Sequence, residues 1–217
     1  MVSMVRVCTI LLLAAFSALP QSLSVGLKGG VPLTNALKAA SGSAYFSDRA
    51  PFVLGPSFEV GLPLGLSVEV DALYRRVRYN STNPVSILVF PPPPPTTTRT
   101  TGQVWEFPFL VKYRVAGGPI RPYLSAGLSF RRLASFDQRT FAPGDLTPIQ
   151  STDQPQELKG RNAAGPTVGG GLEFRVPFLR ISTEIRYTRW GSSSFRSALG
   201  GLATQLNQAD FLLGIAF

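Results

Sequence analysis

From residue 23 to the end, apolar and polar side chains alternate in short segments bounded by Gly, Pro, Ser and Thr. Successive side chains of a strand point to opposite faces, so a period of two marks a sheet with one oily and one polar face. The clearest segment sends Leu66, Val68, Val70, Ala72 and Tyr74 one way and Ser67, Glu69, Asp71 and Arg75 the other, with Leu73 out of pattern. Before it, Leu54, Pro56, Phe58, Val60 and Leu62 oppose Gly55, Ser57, Glu59 and Gly61. After it, Trp105, Phe107, Phe109, Val111, Tyr113 and Val115 oppose Glu106, Lys112 and Arg114, and Leu124, Ala126, Leu128 and Phe130 oppose Ser125, Gly127, Ser129 and Arg131.

Three further segments follow the same rule. Val168, Leu172, Phe174 and Val176 face away from Thr167, Gly169, Gly171, Glu173 and Arg175; Leu179, Ile181, Ile185 and Tyr187 face away from Arg180, Ser182, Glu184, Arg186 and Thr188. The last runs through Ala209, Phe211, Leu213, Ile215 and Phe217 against Gln208, Asp210 and Gly214. A weaker first strand holds Leu23, Val25, Leu27 and Val31 opposite Ser24, Gly26 and Lys28.

These eight strands are joined by links of alternating length. Pro63-Leu64-Gly65, Ala116 to Ile120 and Pro177-Phe178 are short; Pro32 to Pro51, Asn80 to Thr101, Ala134 to Ala164 and Gly191 to Gln205 are long. Strands of about 9–12 residues, even in number and with short turns on one rim, predict an all-β fold: an eight-stranded antiparallel up-and-down transmembrane β-barrel. The short turns and both termini are expected on the periplasmic side.

Charge decides which face is the oily exterior. The polar positions carry eight bases (Lys28, Arg75, Lys112, Arg114, Arg131, Arg175, Arg180, Arg186) and seven acids (Glu59, Glu69, Asp71, Glu106, Glu173, Glu184, Asp210). A solvated face has no need of such balance. A narrow interior does, because an unpaired buried charge costs several kcal/mol. An eight-stranded bore is just wide enough for side chains to fill it, so a lumen of ion pairs is expected rather than a channel. Tyr74, Trp105, Phe130 and Tyr187 at the outer ends, with Tyr113 and Phe217 at the inner ends, suit two aromatic girdles.

The start of the chain has another character. Arg6 precedes Val7 to Phe16, an apolar run of ten, which reads as a secretory signal over residues 1–22, with the barrel over 23–217. The sole cysteine, Cys8, precedes that run, so acylation after it is not expected, and histidine is absent. Cys/His zinc sites and imidazole-based catalysis have no residues to use, and neither a metal nor a cofactor is expected. The overall charge of +9 resides mainly beside the long links. Nucleic acid is no partner for loops facing the medium.

Two segments carry a family resemblance. Arg121-Pro122-Tyr123-Leu124-Ser125-Ala126-Gly127-Leu128 resembles the Pro-Tyr-x-x-x-Gly strand of the outer-membrane β-barrel domain superfamily, the OmpA/OmpX-like eight-stranded proteins. The closing alternation of Ala209, Phe211, Leu213, Ile215 and Phe217 resembles the insertion signal that the barrel-assembly machinery reads in that family. The resemblance implies an integral protein of the bacterial outer membrane, in contact with its lipid.

No catalytic apparatus is expected. Glu69 and Asp71 share a face with several bases, which reads as pairing, and Gly169-Gly170-Gly171 lies mid-strand with no phosphate-loop Lys after it. Pro91 to Pro95 predict a stiff polyproline II spacer in the second long link. Arg76, Arg132 and Arg189 fall just above the aromatic girdle, placed to clamp lipopolysaccharide phosphates. A structural or surface-interaction barrel is the leading reading, with an external ligand at the loops as a second kind of partner. A small porin, a lipid A-modifying enzyme and a soluble binding barrel are the alternatives.

Overall fold

A computed structural model describes residues 22–35, 37–39, 45–48, 52–83, 96–115, 118–142, 144, 147–152, 160–192 and 202–217. Apart from Ser22, the expected signal segment lies outside these residues, as does the Pro91–Pro95 run.

Eight strands form the wall: β1 (Leu23–Pro32), β2 (Val53–Gly61), β3 (Leu66–Asp71 and Leu73–Asn83, interrupted at Ala72), β4 (Thr96–Arg114), β5 (Ile120–Phe141), β6 (Asn162–Val176), β7 (Leu179–Arg189) and β8 (Asn207–Ala216). Each pairs antiparallel with its neighbours in sequence, and β1 pairs with both β2 and β8. The sheet is therefore closed and has no free edge within the barrel. At the seam, the Val25 and Phe217 backbones exchange hydrogen bonds of 3.3 and 3.0 Å, and the Ser24 hydroxyl donates to the Phe217 carbonyl at 2.6 Å.

The rim with the short connections also carries the start of β1 and the end of β8. Between β2 and β3, Leu64 (φ 63°) and Gly65 (φ 79°) both adopt left-handed backbone, the sequence of angles that suits a tight hairpin. Leu64 and Phe178 are almost fully exposed at the tips of their turns.

The other rim departs from expectation. β4 has 19 residues and β5 has 22, about twice what a bilayer crossing needs. With β3 they continue beyond the barrel as a projecting sheet, flanked by Tyr45–Asp48 on β3 and Gln150–Thr152 on β5. Much of what looks like loop over 80–101 and 134–164 is thus ordered strand. In the fourth long link, Leu202–Thr204 pairs with Leu37–Ala39.

The reason lies in an inversion of the alternation. Tyr74 faces out and Arg75 in, but two residues on, Arg76 faces out and Val77 in. The same exchange occurs from Trp105/Glu106 to Gln103/Val104, from Phe130/Arg131 to Arg132/Leu133, and from Tyr187/Thr188 to Arg189/Trp190. Below this level oily groups face outward; above it arginine does. The boundary marks where the outer face changes from apolar to polar. From Trp105 to Tyr113 the outward belt spans about 20 Å along the axis at ordinary strand rise and tilt, close to the apolar band of such barrels.

Candidate functional site

The interior is a column of charge built in layers, one inward residue from each strand at a time. Near the short-turn rim, Arg114 of β4 donates to Glu173 of β6 at 2.8 Å, to Ser67 at 2.8 Å, and to Glu59 of β2. Arg180 of β7 reaches Glu59 at 3.2 Å and Glu173 at 3.9 Å. One turn of the pleat higher, Glu69 of β3 meets three cations: Lys28, Lys112 at 2.5 Å and Arg186 at 3.2 Å. Lys28 also reaches Glu184 at 3.0 Å and Asp71 at 3.4 Å, and Arg186 holds both Asp71 and Glu184 at 2.8 Å. Lys112 spans the two layers through Glu59 at 3.4 Å.

Above this, the column turns apolar. Val53, Leu73 and Leu212, each at most 2% exposed, cluster inside the barrel. Leu73 lies between Asp71 and Arg75 on β3, and Leu212 precedes Gly214, the partner of Lys28, and follows Asp210 on β8. This apolar cluster therefore stands between the ionic groups on the β8, β2 and β3 side of the bore, whereas on β7 and β8 Arg186 and Asp210 are direct cross-strand partners. Over it, Arg75 bridges Glu106 at 2.9 Å and Asp210 at 2.8 Å, and Gln208 donates to the same two carboxylates at 3.0 and 2.8 Å. The Trp190 indole donates to Gln208 at 2.9 Å and closes the top.

Thirteen of the fifteen charged positions assigned to the lumen from sequence join this network. Two do not. Arg175 is exposed, directly opposite Arg180 across the last turn. Arg180 already holds the Glu59 and Glu173 carboxylates, and like charges facing each other repel, so Arg175 stays in solvent. Removing it leaves seven bases against seven acids. Arg131 does point inward and is buried, but its guanidinium stacks 4.3 Å from the Trp190 ring and reaches no carboxylate among the described residues. A cation over an indole face is a stabilising substitute for an ion pair.

Sequence reasoning missed several interior residues, Val53 and Leu110 among them. Leu73 looked out of pattern because its inward position is apolar, and Leu212 and Trp190 were passed over for the same reason. Tyr123, which carried the family resemblance, turns out to be a lumen residue: its hydroxyl donates to the Thr183 carbonyl at 3.3 Å and to Glu184 at 3.4 Å, and Lys112 lies 4.4 Å from its ring. The three-glycine run makes room for this packing. A Cβ on Gly169 would stand 2.6 Å from the Ser125 hydroxyl and 2.8 Å from a Glu184 oxygen, whereas one on Gly170 meets only Leu124 at 3.3 Å as its nearest atom. Gly169→Val is therefore expected to cost about 1–3 kcal/mol by overpacking, and Gly170→Ala to change stability little; urea unfolding of the two variants in lipid vesicles checks the contrast.

The column leaves little space. Beside Lys28, Glu59, Glu69, Lys112, Glu173 and Arg180 there is a cavity of about 20 Å³, room for about one water. No group of His, Cys, Asp and Glu able to hold a metal ion occurs among the described residues. The outward arginines at the inversion level, Arg76, Arg132 and Arg189, lie on β3, β5 and β7. They do not form one cluster, since β7 is two strands around the wall from β5.

A closed eight-stranded antiparallel barrel with an oily exterior and a salt-bridged interior defines the class, a small transmembrane β-barrel of the outer-membrane kind. Among solved structures the chain is similar to Neisserial surface protein A, at 16% identity and a TM-score of 0.47, with 90% of this chain and 97% of that one covered. It is also similar to outer membrane protein OprG from Pseudomonas aeruginosa, at 14% identity and a TM-score of 0.48, covering 90% of this chain and 93% of that one. A third is Ail, the attachment invasion locus protein of Yersinia pestis, solved with the heparin analogue sucrose octasulfate: 14% identity, TM-score 0.43, 91% and 97% covered. No protein-family model and no curated protein matches the sequence.

Proposed function

We propose that this chain is an integral protein of the bacterial outer membrane whose barrel is a closed plug, not a pore, and whose role is played by the surface it presents outside. The single observation that carries this reading is the column of paired charges, packed around the apolar Val53–Leu73–Leu212 cluster, which leaves a cavity of only about 20 Å³ beside Lys28 and Glu59. An ion crossing the lumen would have to displace paired charges along the whole bore. Insertion through the outward face of β8, with Ala209, Phe211, Leu213, Ile215 and Phe217 read by the barrel-assembly machinery, fits the orientation with both termini in the periplasm. The projecting β3–β4–β5 sheet and the long links would then face the medium.

Catalysis has no support in this arrangement. Each lumen carboxylate is held by at least one cation or by Gln208, and none is placed as a free base. The rival reading is a small porin. Planar-bilayer recording of the purified, refolded barrel separates the two. No steady open state is expected; a sustained conductance that tracks the amount of inserted protein would overturn the plug.

A further inference from the structure

Above the inversion level, the outward face of the projecting sheet carries Arg76, Arg78, Arg99, Arg132 and Arg139 among mainly neutral polar side chains. Arg99 of β4 stands directly opposite Arg139 of β5, and their register places Thr101 beside Asp137 and Gln103 beside Ser135. Arg76 of β3 completes the row opposite Gln103. Like charges directly opposite on one face of a sheet are destabilising; Asp137 answers them in part, holding Arg139 at 2.7 Å with both side chains about half exposed. An extra residue at Ala134, where the β4–β5 register slips, bends the sheet at this point. The result is a groove of about 340 Å³ lined by Arg76, Arg99 and Arg139, by polar Thr101, Gln103 and Ser135, and also by Phe136 and by the Asp137 carboxylate that pairs with Arg139.

We propose that this groove binds the phosphorylated saccharide of an outer-leaflet glycolipid, with Arg76 on a phosphate at headgroup height and Arg99 and Arg139 on anionic groups of the sugars above. The inference rests on the membrane placement proposed above. Three features select that occupant. All three cations are arginine, whose planar fork grips phosphate oxygens bidentately where lysine offers a point charge. Amide and hydroxyl groups stand between them, as a sugar requires. Height settles the source: Arg76 is two residues above Tyr74 and Arg99 six above Trp105 on outward faces, so the groove begins at the headgroups and climbs away from the bilayer at about 3.4 Å per residue before tilt. An anion bound there removes the Arg99–Arg139 conflict.

The test uses the full mature barrel refolded into phosphatidylcholine vesicles, with rough-type lipopolysaccharide and its dephosphorylated form as probes. Each variant is first checked for the heat-modifiable gel shift of a folded barrel, which reports the membrane-barrel reading separately from the ligand. Arg99→Ala with Arg139→Ala is expected to weaken lipopolysaccharide binding at least tenfold, Arg76→Ala several-fold, and Arg189→Ala, three strands around the wall from β4, less than twofold. Dephosphorylation of the probe should weaken binding to wild type at least as much as Arg76→Ala does. Equal loss in Arg189→Ala, or unchanged affinity for the dephosphorylated probe, overturns the groove. Tight binding of a soluble sulfated polysaccharide with no binding of lipopolysaccharide overturns the assigned source. A barrel that never shows the gel shift overturns the underlying reading instead.

Discussion

Glu69→Gln should destabilise the barrel by about 3–5 kcal/mol, the usual consequence of removing one partner from a buried ion pair. The substitution keeps the shape of the side chain and removes only its charge. Glu69 is 1% exposed and serves three cations at once. After the change, Lys28 and Arg186 still share Asp71 and Glu184, but Lys112 keeps only Glu59, at 3.4 Å. The stranded charge is therefore Lys112. Adding Lys112→Met to Glu69→Gln restores the balance of the column and should recover at least half of the loss, a coupling that a double-mutant cycle reads directly. Urea titration of barrels refolded into vesicles, followed by tryptophan fluorescence, measures both. A single-variant loss below about 1 kcal/mol would mean that water screens the column, as it does surface pairs, and the plug would not be dry.

That prediction depends on contacts which the alternation alone does not contain. Period two assigns each side chain to the lumen or the lipid, and it did so correctly for Lys28, Glu69, Asp71, Arg186 and most of the others. It does not say which strand's residue lies at which height. Glu69 and Lys112 meet because Ser67 pairs with Lys112 and Glu69 with Leu110 across β3 and β4, a register fixed by closure of the whole barrel. Nor does the pattern say what to make of an apolar residue on the polar face. Leu73 stands out of pattern and Trp190 is passed over, yet one belongs to the apolar cluster and the other closes the top of the column.

The larger misreading lay above the membrane. With oily groups outward, the alternation reads as ending at Arg75, Trp105 and Arg131, and the links as running from Asn80 to Thr101 and from Ala134 to Ala164, which leaves the residues between without a role. Val77, Tyr79, Val104, Leu133 and Phe136 are all buried on the inner side of the projecting sheet. The signal was present in the sequence as a change of phase, not a loss of period. Arg99 and Arg139 are forty positions apart in the chain, and their meeting hangs on the slip at Ala134, which no local pattern reveals.

The assignment of the oily side outward can be tested by depth. On β4, Phe109 lies midway between the ring rows of Trp105 and Tyr113, and Leu128 of β5 is its direct cross-strand partner, 54% exposed. Leu128 is thus placed at the middle of the hydrocarbon, with no water or carboxylate within reach of an introduced cation. Leu128→Arg should cost about 2–4 kcal/mol, the penalty for a base at the midplane of such a barrel, falling to about 0–1 kcal/mol at the interface. Gln103→Arg supplies the interface case: Gln103 faces out at the first position above the belt, level with Arg76 across the strand pair. Unfolding of both variants in vesicles of one lipid composition should show a clear loss for the first and almost none for the second. If water surrounded this same outer face, both side chains would be solvated, and the two substitutions would be equally harmless. The difference between them therefore measures the lipid around the wall, independently of anything inside it.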